Sequence, residues 1–127
     1  MDLTTEEQKE AIKNYDKLQD EADGAITNDT GWVYKLRKPV KYNGKDYTTL
    51  TFDFDKLTGA DSIAIMNEIA MRRGRVVVEP TYDSDYRSAM AARACTEPIG
   101  VDIFDVMSLP DFNRIIGKAR SFMTSLF

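Results

Sequence analysis

Histidine is absent from these 127 residues. That removes the commonest acid–base group near neutral pH, the Ser–His–Asp and Cys–His catalytic arrangements, and every zinc site that needs an imidazole. Cysteine occurs once, at Cys95, so an internal disulfide is excluded. No run approaches the roughly 18 apolar residues that a membrane span needs, and the first residues hold no basic-then-apolar leader. The expectation is a soluble protein of a reducing cytoplasm. Positive charge is also scarce: 17 Lys and Arg stand against 21 Asp and Glu, for a net charge of −4 and a pI of about 4.8. The usual electrostatic drive toward nucleic acid or an anionic membrane is missing, and neither is expected as a partner.

What is present is ordinary for a globular chain. Hydrophobic residues make up 43% and charged residues 30%, and the length suits one domain with one modest core. Two regions are expected, a charged N-terminal helix and linker over 1–31 and a single domain over 32–127. In "LTTEEQKEAIKNYDKLQDEADG", Thr4 and Glu7 have capping-box spacing, and a helix from about Thr5 to Ala22 follows. Its apolar stripe of Ala11, Ile12, Tyr15, Leu18 and Ala22 is thin. The segment is expected to be mobile in the isolated protein, with a docking helix ordered by a partner as the other reading. Turn formers from Asp23 to Gly31 then break the pattern.

"RKPVKYNGKDYTTLTFDF", Arg37 to Phe54, is the clearest β signal. Period-two alternation puts Trp32, Tyr34, Leu36 and Val40 on one face of the first strand and Leu50, Phe52 and Phe54 on one face of the second. Both sets fall on even numbers. A two-residue Asn43-Gly44 turn pairs odd with even and separates the sets, so the expectation is a three-residue loop ending at Gly44, with Leu36 opposite Leu50 and Tyr34 opposite Phe52. A hairpin alone is marginal in water, and this one is expected to pack on its own helices, chiefly those starting near Thr58 and Ser84.

Helical signals follow. Thr58 and Asp61 form a capping box, Ile63, Met66, Ile69 and Ala70 a stripe, and Gly74 a stop. Arg75 to Asp83 reads as an extended connection in which Val76 to Val78 could add a strand. Ser84 is the expected N-cap of an alanine-rich helix with Tyr86, Ala89, Met90 and Ala94 inside and Pro98 as terminator. A short helix with Val101, Phe104 and Met107 comes next. Ser108, Pro110 and Asp111 suit the first turn of the last helix, whose stripe runs through Phe112, Ile115, Ile116, Ala119, Phe122, Met123 and Leu126. The fold class is α+β and mostly α: an N-terminal β-hairpin packed on three to four helices, with an additional N-terminal helix or mobile segment.

Chemical motifs are sparse. "FDFD" and "DSD" lack the glycine and terminal glutamate of a calcium loop and read as edge and cap residues. "RRGR" at Arg72 to Arg75 is explained by the negative end of a helix dipole, with a phosphate contact as the other reading. Cys95 has no activating neighbour and reads as a core residue. With no P-loop, GxGxxG or CxxC, no catalytic, metal-binding or cofactor-binding residue is expected. The residues by themselves read as a small helical interaction domain with a hairpin.

The order of pieces nonetheless resembles a family. "LRKPVKYNGKDYTTLTFDFDKLTGADSI" followed by "YRSAMAARACTEPIGVDIFDVMSLPDFNRIIGKARSFM" is similar to the small tail assembly chaperones of long-tailed bacteriophages over about Val33 to Phe122. The resemblance implies a nonenzymatic factor that holds the tape measure protein, a long and largely helical chain, in the host cell cytoplasm. It also implies a role in recruiting the tail tube protein and absence from the mature virion. A small structural tail or connector protein and an acidic regulator that binds a host protein are the rival readings. The end of the last helix is the expected association surface: Phe122, Met123, Leu126 and Phe127 are available to the tape measure protein or to another copy of the chain.

Overall fold

Asn43 and Gly44 both have positive φ, 50° and 76°, and they join two antiparallel strands in the computed structural model, which describes residues 31–125. The strands are β1, Trp32–Tyr42, and β2, Lys45–Phe52. Two successive positive φ values are those of the type I′ hairpin turn, and Asn-Gly is the pair that adopts it at least cost. The loop therefore has two residues, not the expected three. Tyr42 pairs with Lys45 and Val40 with Tyr47, even with odd.

The parity conflict is resolved further along. The register shifts between Lys35 and Val40, where residues 36–39 of β1 oppose only Thr48 of β2. Three extra residues, an odd number, turn the pairing to even with even, so Tyr34 lies opposite Leu50 and Trp32 opposite Phe52. Pro39, which has no N–H to give a ladder, sits in this irregular stretch. Trp32, Tyr34, Leu36, Val40, Tyr47, Leu50, Phe52 and Phe54 all end buried. The expected apolar face is observed, through a different turn and register.

Three α-helices follow: α1, Gly59–Arg73; α2, Ser84–Ala94; and α3, Leu109–Ser125. Thr58 donates its N–H to Asp61 Oδ2 at 2.8 Å at the start of α1, and Gly74 closes the helix in the left-handed region at φ 67°. The face is rotated from the expected stripe. Ile65 and Ile69 are buried, whereas Ile63 is 59% exposed and Ala70 faces solvent. Ser62 Oγ bonds Tyr86 OH at 2.7 Å and Arg93 donates to Asp61 at 2.9 Å, so residues 61, 62, 65 and 69 are the side turned to α2.

No strand forms at Val76 to Val78. Val77 is buried, while Val76 and Val78 point outward, and a short 3-10 turn over Pro80–Tyr82 leads to α2. The N-cap of α2 is Asp83 rather than Ser84, because its carboxylate accepts the Tyr86 N–H at 3.0 Å. Ala89, Ala91 and Ala94 are buried between α1 and α3, and small side chains let both neighbours approach. Helix α2 ends at Ala94, before Pro98. A 3-10 turn, Val101–Asp105, buries Ile103 and Phe104 and hands the chain to α3.

The hairpin packs on its own helices. Strand β1 lies against α3, and the end of β2 is tied to the segment after α2 by Asp53 N–H to Ala94 O and Thr96 N–H to Thr51 O, both 2.8 Å. Helix α1 packs on α2. Of the two helices expected beneath the hairpin, the one near Ser84 meets it and α3 is the other partner. The sequence-predicted helix from Thr5 to Ala22 lies outside the described residues.

Candidate functional site

The Ser108-x-x-Asp111 spacing repeats the box at Thr58 and Asp61, and it builds the junction of hairpin and bundle. Asp111 has no exposed surface. Its carboxylate accepts from Ser108 Oγ at 2.7 Å and Tyr34 OH at 2.6 Å, and from the backbone N–H groups of Arg37 at 3.0 Å and Lys38 at 3.2 Å. The last two are the donors that the irregular stretch of β1 turns away from β2. Burial pushes the Asp111 carboxyl up, but the bonds from Tyr34, Arg37, Ser108 and Lys38 outweigh it and hold the group below its ordinary range. This residue orients α3 against β1. Sequence reasoning places Asp111 only as a first-turn acid, and the Ser-x-x-Asp spacing is the signal that points to more.

With α3 so placed, an aromatic row runs from the hairpin to the end of the helix. Tyr34 and Trp32 rings lie 5.1 Å apart, Trp32 and Phe52 5.6 Å, Phe52 and Phe54 6.0 Å, and Phe54 and Phe122 5.5 Å in a stacked pair. Phe122 and Met123 are half-buried and pack on the core. They also form one wall of a groove of about 390 Å³ whose other walls are Leu57 and Thr58 before α1, Ile65 of α1, Pro80 and Thr81, and Tyr86 and Met90 of α2. Most of the lining is apolar, with Asp61 and Ser62 at one margin. Two of the four residues expected at an association surface thus meet in one groove. Leu126 and Phe127 lie outside the described residues.

The other chemical candidates are engaged in structure. Arg75 forms a two-pronged pair with Asp83 at 2.7 and 3.0 Å and reaches Asp85 at 2.9 Å, and Arg73 meets Asp85 at 3.3 Å. Arg73 and Arg75 of "RRGR" thus pair with the two aspartates of "DSD". Arg75 first of all, aided by the Tyr86 N–H, holds the Asp83 carboxyl low against burial. Cys95 is buried and its thiol is pushed up to about 12, chiefly by burial, so it is not a ready nucleophile. Among the described residues no group of three or more Cys, Asp and Glu is placed to hold a metal ion, and no helix is long and apolar enough to cross a membrane.

Comparison with protein families gives a match over residues 33–124 to the family described as phage tail assembly chaperone proteins, E, or 41 or 14. The chain belongs to this family. The match takes in the hairpin, the three helices and the groove, and it ends at Thr124, just past Phe122 and Met123. Neither curated proteins nor solved structures gave a match.

Proposed function

We propose that this tail assembly chaperone acts without catalysis, by holding an amphipathic helical stretch of the tape measure protein in the groove between the start of α1, α2 and the end of α3. The observation that carries the reading is the groove itself, lined by Phe122, Met123, Met90 and Ile65 in a chain whose family assists tail assembly. A long helical client has an apolar stripe that must be covered until tube subunits surround it, and a helix-in-groove contact covers such a stripe reversibly. Methionine and phenylalanine suit a site that meets many segments of one client in turn. Release before completion places the protein in the host cytoplasm and leaves it out of the mature virion. The tail tube protein is the second expected partner, and self-association through the same apolar surface is the state that a client would displace.

Coexpression with the tape measure protein, followed by capture of either chain, tests this. Capture by the unmodified protein and at least a tenfold loss with Met123→Asp are expected, together with its absence from purified particles by mass spectrometry. Equal capture by Met123→Asp, in a chain that still melts cooperatively, would remove the groove from the reading. Stoichiometric recovery from virions would replace a chaperone with a structural tail component.

A further inference from the structure

We propose that the acidic N-terminal segment, residues 1–30, docks on the basic side of α3 beside Trp32, held by Arg114 and Lys118. The charge of the chain is divided unevenly. Residues 1–31 carry nine Asp and Glu against three Lys, whereas residues 32–127 carry fourteen Lys and Arg against twelve Asp and Glu. A chain that is acidic overall thus consists of a strongly acidic segment and a slightly basic domain, and opposite charges on one chain attract at short tether length.

Position adds to charge. The segment joins the domain at Gly31 and Trp32, the first residues described. Lys118 Nζ lies over the Trp32 ring at 5.5 Å from its centroid. Arg114 is one helical turn earlier on the same side of α3. Asp111, the one carboxylate within α3, is buried and turned to the hairpin, and the other charged side chains of this helix, Arg114, Lys118 and Arg120, are all cations. Asp20, Glu21 and Asp23 stand nine to twelve residues before Trp32, well within reach at about 3.3 to 3.6 Å per extended residue. Gly31 fixes where the segment leaves: its φ is +103°, and a Cβ there would lie 2.4 Å from the Phe52 carbonyl oxygen.

A third observation is independent of charge. Trp32 is 4% exposed, and its indole N–H has no acceptor among the described residues. Buried donors of this kind are almost always paired. An acceptor supplied by the adjoining segment, a carboxylate or a backbone carbonyl, satisfies it. In the sequence Ile12, Tyr15 and Leu18 recur at helical spacing, and in the proposed docked form they would meet the domain while the acids meet the α3 cations.

Hydrogen exchange on the intact chain tests the assignment. Amides over residues 5–22 are expected to exchange at least tenfold more slowly at 50 mM than at 1 M salt, independently of protein concentration, and the emission of Trp32, the single tryptophan, should shift with the same salt dependence. The pair Arg114→Glu and Lys118→Glu should abolish that protection, and adding Asp20→Lys and Glu21→Lys in the same chain should restore part of it. Lys45→Glu, on the hairpin, should leave it intact. Absence of protection at low salt, equal protection after reversal at Arg114 and Lys118 with the amides of β1 and α2 still protected, or equal loss with Lys45→Glu would overturn the site. Protection that rises with concentration would assign docking to a second copy and overturn the intramolecular form. Should the α3 variant fail to fold, Asp20→Lys with Glu21→Lys alone decides: lost protection supports the site and retained protection overturns it.

Discussion

Replacing Asp111 with Asn keeps the shape of the side chain and changes what it can accept. The carboxylate takes four donors, two of them backbone N–H groups that cannot reverse direction. An amide has one acceptor oxygen, and its own N–H₂ would face donors. Each donor left buried and unsatisfied costs about 1 to 3 kcal/mol, so Asp111→Asn should lower the melting temperature clearly, and Asp111→Ala further. The same residue gives the fold an acid limit. Its carboxyl is held below the ordinary value in the folded state, so the folded chain binds its proton less readily than the unfolded chain. The contribution is therefore fully present above about pH 4 to 5, the upper side of an unfolded aspartate's titration, and is lost as pH falls through the folded value. Urea midpoints measured from pH 7 down to pH 3 should fall steeply for the parent chain and less steeply for Asp111→Asn. Parallel curves would show that another carboxylate sets the acid limit.

At the scale of elements, the hairpin shows what a sequence pattern does and does not contain. Alternation identified every buried residue of β1 and the even-numbered buried residues of β2, because burial on one face dictates period two whatever the turn. A regular ladder predicts a three-residue loop, because the Asn-Gly turn and the even-even pairing cannot coexist in one. Residues 36–39 reconcile them, and their two donors are satisfied from a helix more than seventy residues away. A contact so distant leaves no trace in local spacing. Likewise the Thr58 box and the Gly74 stop were legible in α1, whereas its rotation was not, since Ile63 and Ile65 are equally apolar and the choice rests on Ser62 and Asp61 meeting α2. The groove was half legible: the stripe on α3 named one wall, and the other walls are distant in sequence. Deleting Pro39 tests the role of the irregular stretch. It leaves two extra residues in place of three, an even number, which would turn the Trp32–Tyr34 side of β1 outward. A protein that loses its cooperative unfolding is expected, whereas Pro39→Ala, which keeps the count, should stay folded. Equal behaviour of the two variants would mean that residue number is not what sets the register.

For the whole molecule, the end of α3 both packs on the core and lines the groove proposed to hold the client, and an experiment that removes it removes both. Phe122 stacks on Phe54 and extends the aromatic row that ties the hairpin to the bundle, while Met123 beside it lines the groove. A chain terminated at Ser121 should therefore melt earlier, by at least the roughly 0.5 to 1.5 kcal/mol of one aromatic pair, as well as lose any client. Loss of capture by that chain alone would not separate a damaged fold from a missing surface. Point substitutions help to separate them, because Phe122 stacks on Phe54 whereas Met123 makes no ring contact of that kind. Phe122→Ala should lower stability through the lost stack on Phe54. Met123→Asp puts a carboxylate at a half-buried position that packs on the core and lines the groove, so it should lower stability by about 0.5 to 3 kcal/mol, yet lose the tape measure protein far beyond that loss. Thermal melts of the three variants beside capture by the same preparations give the pattern. If Met123→Asp retains its client while Phe122→Ala and the shortened chain lose theirs only in proportion to lost stability, the end of α3 is a structural strut and the client binds elsewhere on the fold.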